Sequence, residues 1–370
     1  MKIKRLVLYH LHMALVSPFE TSFGKIATRD CIILEANTDE LTGWGECVAD
    51  RDPGYSYETA GTAWHILKEF IVPMIIGRDI KTPTEFHSLV EGVRGHLMAK
   101  AGLEMVLWDL QGKQESRSLR DMIGGKRDRV EVGVSVGIQP TTEALVKAVA
   151  GYLEQGYQRV KIKIKPGRDA TDTLAVRRSY PSLRLQVDAN SAYTLDTADR
   201  LLRLDDLNLL LIEQPLGEDD IWDHSKLQHK LKTPICLDES ILTLRHARQA
   251  MEMDACRVIN IKTGRVGGPS QAIAIHNLCQ QNHIPVWCGG MLETGVGRAT
   301  NLALASLPNF LLPGDISATD RYYAEDITDQ RFELNKDSTI NVPTFPGLGI
   351  TINRAALQKV TIDRLVLEQD

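Results

Sequence analysis

The chain has 370 residues and a net charge of −5, and 43% of its residues are hydrophobic and 25% charged. These values are typical of a globular protein with a full-sized core, and the negative charge argues against nucleic acid or an anionic membrane surface as a partner. No apolar run approaches the roughly 18 residues of a membrane-spanning helix, and the first residues do not resemble a signal peptide. We therefore expect a cytoplasmic enzyme.

The six cysteines are scattered along the chain, and none forms a Cys-x-x-Cys pair. They are Cys31, Cys47, Cys236, Cys256, Cys279 and Cys288. This usage predicts reduced thiols in the core of an intracellular protein rather than a disulfide framework or a zinc site.

The first part of the chain, to about residue 125, predicts a mixed α+β domain. Apolar and β-branched residues at 3–9 and 30–36 indicate strands, and apolar residues at helical spacing indicate helices at about 57–71 and 84–115. At roughly 100–200 residues per domain, the rest of the chain is long enough for a second domain.

After about residue 130, short β-branched runs alternate with longer amphipathic stretches. The runs lie at 132–138, 159–163, 183–187, 207–212, 234–237, 257–261 and 284–288. Strands that alternate with helices at this spacing predict βαβ units and a parallel sheet, and so many units in succession favour a closed (β/α) barrel. An open doubly wound sheet is the alternative. No Gly-x-Gly-x-x-Gly motif follows the first run, which weakens the dinucleotide-binding form of that alternative.

A charged residue ends each of five consecutive predicted strands. These residues are Lys163, Asp188, Glu213, Asp238 and Lys262, and the steps between them are 25, 25, 25 and 24 residues. One strand and one helix together have about this length, so we expect the five side chains at equivalent heights on adjacent strands. The carboxyl ends of the strands form the active-site face of a (β/α) barrel. The spacing therefore predicts three carboxylates flanked by lysines at one site.

Three neighbouring carboxylates cannot all remain ionised at close range without a compensating cation. Mg²⁺ prefers oxygen ligands and leaves coordination positions for substrate or water, so Asp188, Glu213 and Asp238 are predicted as its ligands. The alternative for a single strand-end acid is to cap the next helix. Against that alternative, each acid follows an apolar run, and Glu is not a favoured capping residue.

Lys161 and Lys163 lie two residues apart on one predicted strand and therefore share a face, which in a barrel points into the mouth. The alternative is an edge strand with a solvated basic face, but a closed barrel has no edges. Lys165 has the same parity and precedes Pro166 and Gly167 beyond the predicted strand end, so we expect it to be exposed to solvent.

The lysines on either side of the acids are candidate general bases. An ammonium group with a pKa near about 10.4 is a poor base at neutral pH, but burial and neighbouring cations lower that value. Lys163 has Lys161 beside it, and Lys262 is followed closely by Arg265. Two amine bases on opposite sides of a metal-bound carboxylate suit removal of the proton α to that carboxylate. We therefore predict acid–base chemistry through an enediolate.

This Lys-x-Lys, Asp, Glu, Asp, Lys series resembles the active site of the muconate lactonizing enzyme subgroup of the enolase superfamily, where a lysine or histidine base works with Mg²⁺. Over essentially the whole chain, the sequence is most similar to the N-succinylamino acid racemase/o-succinylbenzoate synthase family. The stretches that resemble this family lie at 17–19, 21–24, 43–47, 135–138, 234–240, 287–295 and 312–315.

The resemblance implies a modified (β/α)7β TIM-type barrel at residues 126–345. It also implies an α+β capping domain, formed by residues 1–125 and completed by the C-terminal tail 346–370. Within the barrel it implies Mg²⁺, or alternatively Mn²⁺, on the three acids, with Asn190 and Glu239 supporting the site.

By the same resemblance, Lys163 and Lys262 form the acid/base pair, Lys161 assists electrostatically, and Arg265 supports Lys262. Phe19 and Phe23 would belong to a lid over the substrate, and packing in the core of a β-hairpin is the alternative for both. Four residues would line the succinyl-bearing side of the substrate. They are Ser135, Gly290, Met291 and Leu292.

Two reactions occur on such a site in this family. One is the dehydration of 2-succinyl-6-hydroxy-2,4-cyclohexadiene-1-carboxylate to o-succinylbenzoate, a step of menaquinone biosynthesis, and the other is racemisation of N-succinylamino acids. We expect the synthase activity with racemase activity alongside, and a dedicated racemase is the alternative. In both cases the substrate is a small-molecule carboxylate, and we expect a homo-oligomer.

Other functions fit less well. A dipeptide epimerase should carry two acids near the eighth strand to hold the ammonium group of its substrate, whereas Asp315 is followed two residues later by Ser317. A muconate cycloisomerase is a further alternative within the same fold. A catalytically inactive binding protein is the non-enzymatic alternative, and the intact five-residue series argues against it.

Overall fold

Two sheets define the architecture of residues 1–368, which the computed structural model describes. The first sheet is antiparallel, with the strand order β13-β1-β2-β3. Its strands are β1 (Arg5–Thr21), β2 (Gly24–Asn37), β3 (Thr42–Cys47) and the C-terminal β13 (Thr361–Glu368). Strand β13 pairs with β1 from Arg5 to Leu11, so the end of the chain joins the sheet that its beginning forms.

Both faces of this sheet are buried, which explains the nearly continuous apolar sequence of β1. The antiparallel sheet and the helices within residues 60–123 form the capping unit. Leu6 and Leu8 pack into the core of this unit, whereas Val7 and Leu11 pack into the core that continues into the barrel. Successive side chains of a strand point to opposite faces. The sheet therefore forms the layer between the capping helices and the barrel.

The helices of the capping unit lie between β3 and the barrel in sequence. They are α1 (Ala60–Ile66), a π-helical turn (Leu67–Ile71), α2 (Val72–Ile75), α3 (Glu85–Leu89), α4 (Leu97–Glu115) and α5 (Leu119–Ile123). The long helix α4 packs on β3 through glycine: a Cβ atom built on Gly45 would lie 2.0 Å from the backbone oxygen of Gly102. This close approach of the two backbones fixes α4 against the sheet.

The second sheet is parallel and contains seven strands in consecutive order. They are β5 (Val134–Val136), β6 (Arg159–Lys163), β7 (Arg184–Asp188), β8 (Ile212–Glu213), β9 (Ile235–Leu237), β10 (Val258–Ile261) and β11 (Val286–Cys288). The helical segments are α6 (Thr142–Glu154), α7 (Asp169–Ser179), a 3-10 helix (Leu195–Leu207), α8 (Ile221–Lys230), α9 (Leu244–Glu252), α10 (Pro269–Gln281), α11 (Gly295–Ala305), a short 3-10 turn (Thr319–Arg321) and α12 (Arg354–Val360). A small antiparallel pair of strands distant in sequence, β4 (Arg129–Glu131) and β12 (Thr339–Asn341), completes the elements.

The segment after α11 closes the barrel. Phe310 forms a parallel bridge with Val286 of β11, and Gly314 forms a parallel bridge with Val132, just before β5. The eighth position is thus filled by an irregular segment that pairs on both sides. The expected modified (β/α)7β barrel with an α+β capping unit is confirmed, and the open-sheet alternative is wrong.

The structure differs from the sequence-based expectation in several places. Of the strand expected at 207–212, only Ile212 lies in β8, and Leu207 belongs to the preceding 3-10 helix. The strands expected at 3–9 and 30–36 are parts of longer strands, because β1 and β2 continue as a ribbon to the turn between Thr21 and Gly24. The helix expected at 84–115 is interrupted between α3 and α4. Gly92 and Gly95 lie in this interruption, and His96 adopts a left-handed conformation with φ 50°.

All six cysteines are buried free thiols, as expected. No helix within residues 1–368 is long and apolar enough to cross a membrane. The domain boundaries at 125/126 and 345/346 stay predictions, and the last two residues of the predicted tail, 369–370, lie outside the described residues.

The contact between β3 and α4 generates a stability prediction. Gly45→Ala should lower the free energy of unfolding by about 1–3 kcal/mol or more, because the new methyl group overlaps a backbone oxygen that cannot move alone. Gly151→Ala is the matched control: Gly151 lies within α6 with no atom within 4 Å of its Cβ position, so alanine should stabilise by about 0.5–1 kcal/mol. Urea unfolding followed by circular dichroism measures both, and similar midpoints would contradict the prediction.

Candidate active site

The charged residues predicted at the strand ends point into the mouth of the barrel. In the parallel register, Lys163 lies beside Asp188, and Asp188 lies beside Glu213. All five side chains of the series are at least nine-tenths buried. The relative exposures are 9% for Lys163, 7% for Lys262, and 0% for Asp188, Glu213 and Asp238.

The last two members of the series are offset in register from the first three. Glu213 is level with Cys236, so Asp238 lies two residues further along its strand. Leu237 is level with Ile259, so Lys262 lies two residues beyond the position opposite Asp238. Strands in a barrel are staggered, and a shift by two residues keeps a side chain on the same face. Because the strands of a barrel are tilted, this offset compensates for the change in height between in-register neighbours, and it agrees with the expected equal heights.

The helix-capping alternative for the acids is wrong. The helical segments that follow the three strands begin after Thr194, Asp220 and Thr243, which are their N-cap residues. The strand-end acids instead bind the side chains of neighbouring strands.

Ion pairs on β6 connect the first two acids. The Nζ atom of Lys163 donates to Asp188 at 2.6 Å and to the Asn190 side chain at 2.7 Å. The Nζ atom of Lys161 lies 3.0 Å from Asp188 and 2.8 Å from Glu213. Lys161 thus joins two carboxylates that would otherwise repel each other in a buried site.

The third acid has its own pair of cations. Lys262 donates to Asp238 at 2.7 Å, and the Arg265 guanidinium also contacts this carboxylate. Tyr55, from the capping unit, places its hydroxyl 3.1 Å from Lys262 and 3.1 Å from Asp238. Asp238 therefore neutralises the charge of Arg265, although Arg265 was expected to support Lys262.

The two candidate bases differ in the direction of their pKa shifts. Burial lowers the pKa of Lys163, and the ammonium of Lys161 adds to this effect against the attraction of Asp188. Burial also disfavours the charged form of Lys262, but Tyr55 and the nearby carboxylates outweigh it and raise its pKa. The two shifts therefore have opposite directions: that of Lys163 agrees with the expected lowering, whereas the pKa of Lys262 is raised while its ammonium pairs with Asp238.

The pKa values of Asp188 and Glu213 are also shifted in opposite directions. Burial would raise the pKa of Asp188, but the Lys163 and Lys161 ammonium groups outweigh it and hold that pKa below its usual range. Burial and the negative charge of Asp188 raise the pKa of Glu213. No three His, Cys, Asp or Glu side chains among residues 1–368 are gathered as a ready ligand set, since ammonium and guanidinium groups contact these acids.

A cavity of about 370 Å³ lies between the capping unit and the barrel mouth. Lys161, Lys163 and Lys262 reach it from the barrel. Its lining includes the six residues expected to contact substrate: Phe19, Phe23, Ser135, Gly290, Met291 and Leu292. The structure therefore brings the candidate bases and the expected substrate residues to one cavity.

The ribbon formed by the ends of β1 and β2 covers this cavity and is bound to the barrel. The Ser22 hydroxyl donates to the backbone oxygen of Asn190 at 2.9 Å, and the Ile138 amide donates to the oxygen of Glu20 at 2.9 Å. Phe23 is 47% exposed, which excludes core packing for its side chain. Phe19 is half-buried, and the Nζ atom of Lys163 lies 5.9 Å from the centroid of its ring.

The remaining predicted residues surround the same site. Asn190 also donates to Glu239 at 2.8 Å, so these two side chains support each other next to the acids. Lys165 lies outside the cavity, with 43% of its side chain exposed, as expected.

Sequence reasoning missed three side chains of the site. Tyr55 comes from the capping unit, and nothing in the local sequence connects it to Lys262. Asp315 accepts from Arg159 at 2.6 Å and from Lys161 at 2.7 Å, whereas the sequence analysis considered it only as a substrate ligand. The ring of Trp287 lies 4.9 Å from the Lys161 Nζ atom, and its place on the seventh strand was the signal that could have revealed it.

Comparison with known proteins agrees with this geometry. One family model, the mandelate racemase/muconate lactonizing enzyme N-terminal domain, matches residues 4–124, and a second, enolase C-terminal domain-like, matches residues 144–356. An o-succinylbenzoate synthase of Geobacillus kaustophilus is 47% identical over 360 residues, which cover 97% of this chain and 96% of the relative. An N-succinylamino acid racemase of an Amycolatopsis species is also 47% identical, over 98% of both chains.

A solved structure agrees as well. An enolase-superfamily member from Listeria innocua superimposes with a TM-score of 0.95 and 44% sequence identity, covering 100% of this chain and 99% of that protein. The resemblance stated from the sequence is confirmed.

The shared position of Lys161 generates a prediction about stability. Lys161→Met should lower the free energy of unfolding by about 3–5 kcal/mol, because it leaves buried carboxylates without their common cation. Lys165→Met is the matched control on the same segment, and its loss should stay within about 0.5 kcal/mol because the side chain is partly exposed. Denaturant unfolding compares the two, and equal effects would show that the buried ion pairs do not stabilise the fold.

Proposed function

Because the chain belongs to the mandelate racemase/muconate lactonizing enzyme group of the enolase superfamily, we propose that it is an o-succinylbenzoate synthase that also racemises N-succinylamino acids. The observation that carries this proposal is the placement of two buried lysines, Lys163 at the end of β6 and Lys262 directly after β10, on either side of three buried acids. Relatives that are 47% identical carry both of these names.

Proton transfer is assigned to the two lysines. In the dehydration, the neutral amine of Lys163 takes the proton α to the substrate carboxylate, the electron pair moves into an enediolate, and hydroxide then leaves as the ring becomes aromatic. In the racemisation, one lysine removes the α-proton and the ammonium of the other returns a proton to the opposite face. The lowered pKa of Lys163 supports its role as the base.

Enzymes of this superfamily generally depend on Mg²⁺, and the donor set of this chain fits such an ion. Asp188, Glu213 and Asp238 provide buried carboxylate oxygens, the ligand type that Mg²⁺ prefers. Glu239 supports the assignment, because its Oε2 atom is buried without a hydrogen-bond partner. A bound Mg²⁺ supplies the positive charge that stabilises an enediolate.

The capping unit is assigned to substrate recognition. Phe19 and Phe23 close the cavity on one side, and the Gly290–Leu292 loop lies on the other. Ser135 has a buried hydroxyl without a hydrogen-bond partner, which suits contact with a polar group of the succinyl chain.

A dedicated racemase is the second candidate, and the burial of two lysines at one cavity favours it, since dehydration requires only one base. A dipeptide epimerase fits less well. Asp315, the acid that would hold the ammonium group of a dipeptide, is already paired with Arg159 and Lys161.

The metal assignment predicts that Glu213→Gln lowers turnover at least about 100-fold, because replacing a ligand should cost more than the 10–100-fold typical of its supporting partners. Folding should change little, since Lys161 keeps Asp188 and Asp315 as partners. The control is Glu218→Gln, which lies on the exposed loop after β8 and should be silent. Turnover is measured against Mg²⁺ concentration, and normal turnover at trace Mg²⁺ would show that Glu213 is not a ligand.

The acid–base assignment is tested with each enantiomer of an N-succinylamino acid in deuterated water. Lys163→Ala and Lys262→Ala should each stop racemisation, because neither remaining lysine can complete the inversion. Each variant should still exchange the α-proton of one enantiomer, and the two variants should select opposite enantiomers. Synthase turnover should be lost in Lys163→Ala. Exchange of the same enantiomer by both variants would contradict the opposed geometry.

A further inference from the structure

A chain of buried hydrogen bonds runs from the residue after Lys262 to the loop that lines the cavity. The Thr263 hydroxyl donates to the Asn301 side-chain oxygen at 2.7 Å, and the Asn301 amide nitrogen donates to Glu293 at 2.8 Å. The other carboxylate oxygen of Glu293 accepts from the Met291 backbone amide at 2.9 Å. Thr263 and Asn301 are 1% exposed, and Glu293 is 7% exposed.

The far end of this chain is fixed by the capping unit. Glu46 on β3 accepts from the Thr294 backbone amide at 3.1 Å, from the Thr294 hydroxyl at 2.7 Å and from the Gly297 amide at 2.9 Å. These donors lie at the start of α11, the helix that carries Asn301. The helix is therefore held in place at its first turn.

The loop held by Glu293 also forms the wall beside Lys262. A Cβ atom built on Gly289 would lie 2.7 Å from the Cε atom of Lys262, so the lysine stem runs directly along this backbone. Lys163 makes no hydrogen bond to Thr263, Asn301 or Glu293. Its Nζ atom donates instead to Asp188 and Asn190 on the other side of the site. A change in this chain of hydrogen bonds should therefore displace Lys262 and leave Lys163 in place.

We propose that Thr263, Asn301 and Glu293 form a positioning network that fixes Lys262 against the Gly289–Leu292 loop and controls proton transfer on the Lys262 face of the substrate alone. The network rests on the proposed function, since it matters only if Lys262 transfers a proton. Buried polar chains of this kind are costly unless every member is paired, and they specify one geometry when all are paired. Because the network holds both Lys262 and the loop at residues 289–292, the distance between them stays constant while substrate enters and leaves.

The test compares the deuterium exchange rates of the two enantiomers of an N-succinylamino acid in hydroxyl-deletion variants. Thr263→Val keeps the side-chain shape but removes the first donor of the network. It should slow exchange of one enantiomer about 10-fold or more, because small displacements of a reacting group have large effects on rate. The affected enantiomer should be the one that Lys163→Ala still exchanges, and the other should stay within about twofold.

Two controls separate this role from a general loss of structure. Thr263→Ser keeps the hydroxyl and should retain both rates. Thr300→Val makes the same chemical change next to Asn301, where the fully buried hydroxyl reaches only the Val296 backbone oxygen at 3.4 Å, and both rates should be unchanged. Asn301→Ala breaks the network from its other side and should slow exchange of the same enantiomer. It replaces Thr263→Val as the test if that variant does not fold.

Equal slowing of both enantiomers in Thr263→Val and Asn301→Ala, or no slowing of either, would overturn the network and leave the proposed function intact. Absence of exchange for both enantiomers in the unmodified protein would overturn the proposed racemisation, and the network with it.

Discussion

The structure depends on the balance of charge in the mouth of the barrel. Asp188, Glu213 and Asp238 are fully buried, and an uncompensated buried carboxylate is too costly for a stable fold. Lys161 and Lys262 provide part of the compensation through ion pairs of 2.7–3.0 Å. The residues that a metal ion and a substrate would need are therefore also residues whose charges the folded chain must satisfy, and this links stability to function at one site.

Burial of these charges requires the capping unit, because the mouth of a barrel is otherwise open to water. The capping unit is held in place by buried carboxylates that accept from backbone amides near the starts of barrel helices. Glu46 does this at α11, and Glu104 accepts from the Ser270 amide at 3.2 Å in α10. The first amides of a helix have no partner within the helix, so these side-chain oxygens satisfy them and give the interface a defined geometry. The same interface brings Tyr55 to Lys262.

Dehydration and racemisation need the same first step, so one arrangement of side chains supports both. The two reactions differ in the step after proton removal, which is either departure of hydroxide or return of a proton to the other face. In the proposed racemisation, Lys262 would transfer the proton on the other face, and its surroundings differ from those of Lys163. It pairs with Asp238 beside Arg265, and the carboxylates and Tyr55 raise its pKa, which suits a group that donates a proton.

The sequence by itself determined the elements whose signals are local or periodic. Alternating strands and helices predicted the barrel, and the regular spacing of strand-end charges predicted that Lys163, Asp188 and Glu213 lie side by side, as the register shows. Only the tertiary structure decided the stagger of Asp238 and Lys262, because strand register depends on hydrogen bonds between segments far apart in sequence. It alone also decided that Arg265 pairs with Asp238 and that Tyr55 reaches Lys262, since the partners of a buried charge are set by packing between segments far apart in sequence.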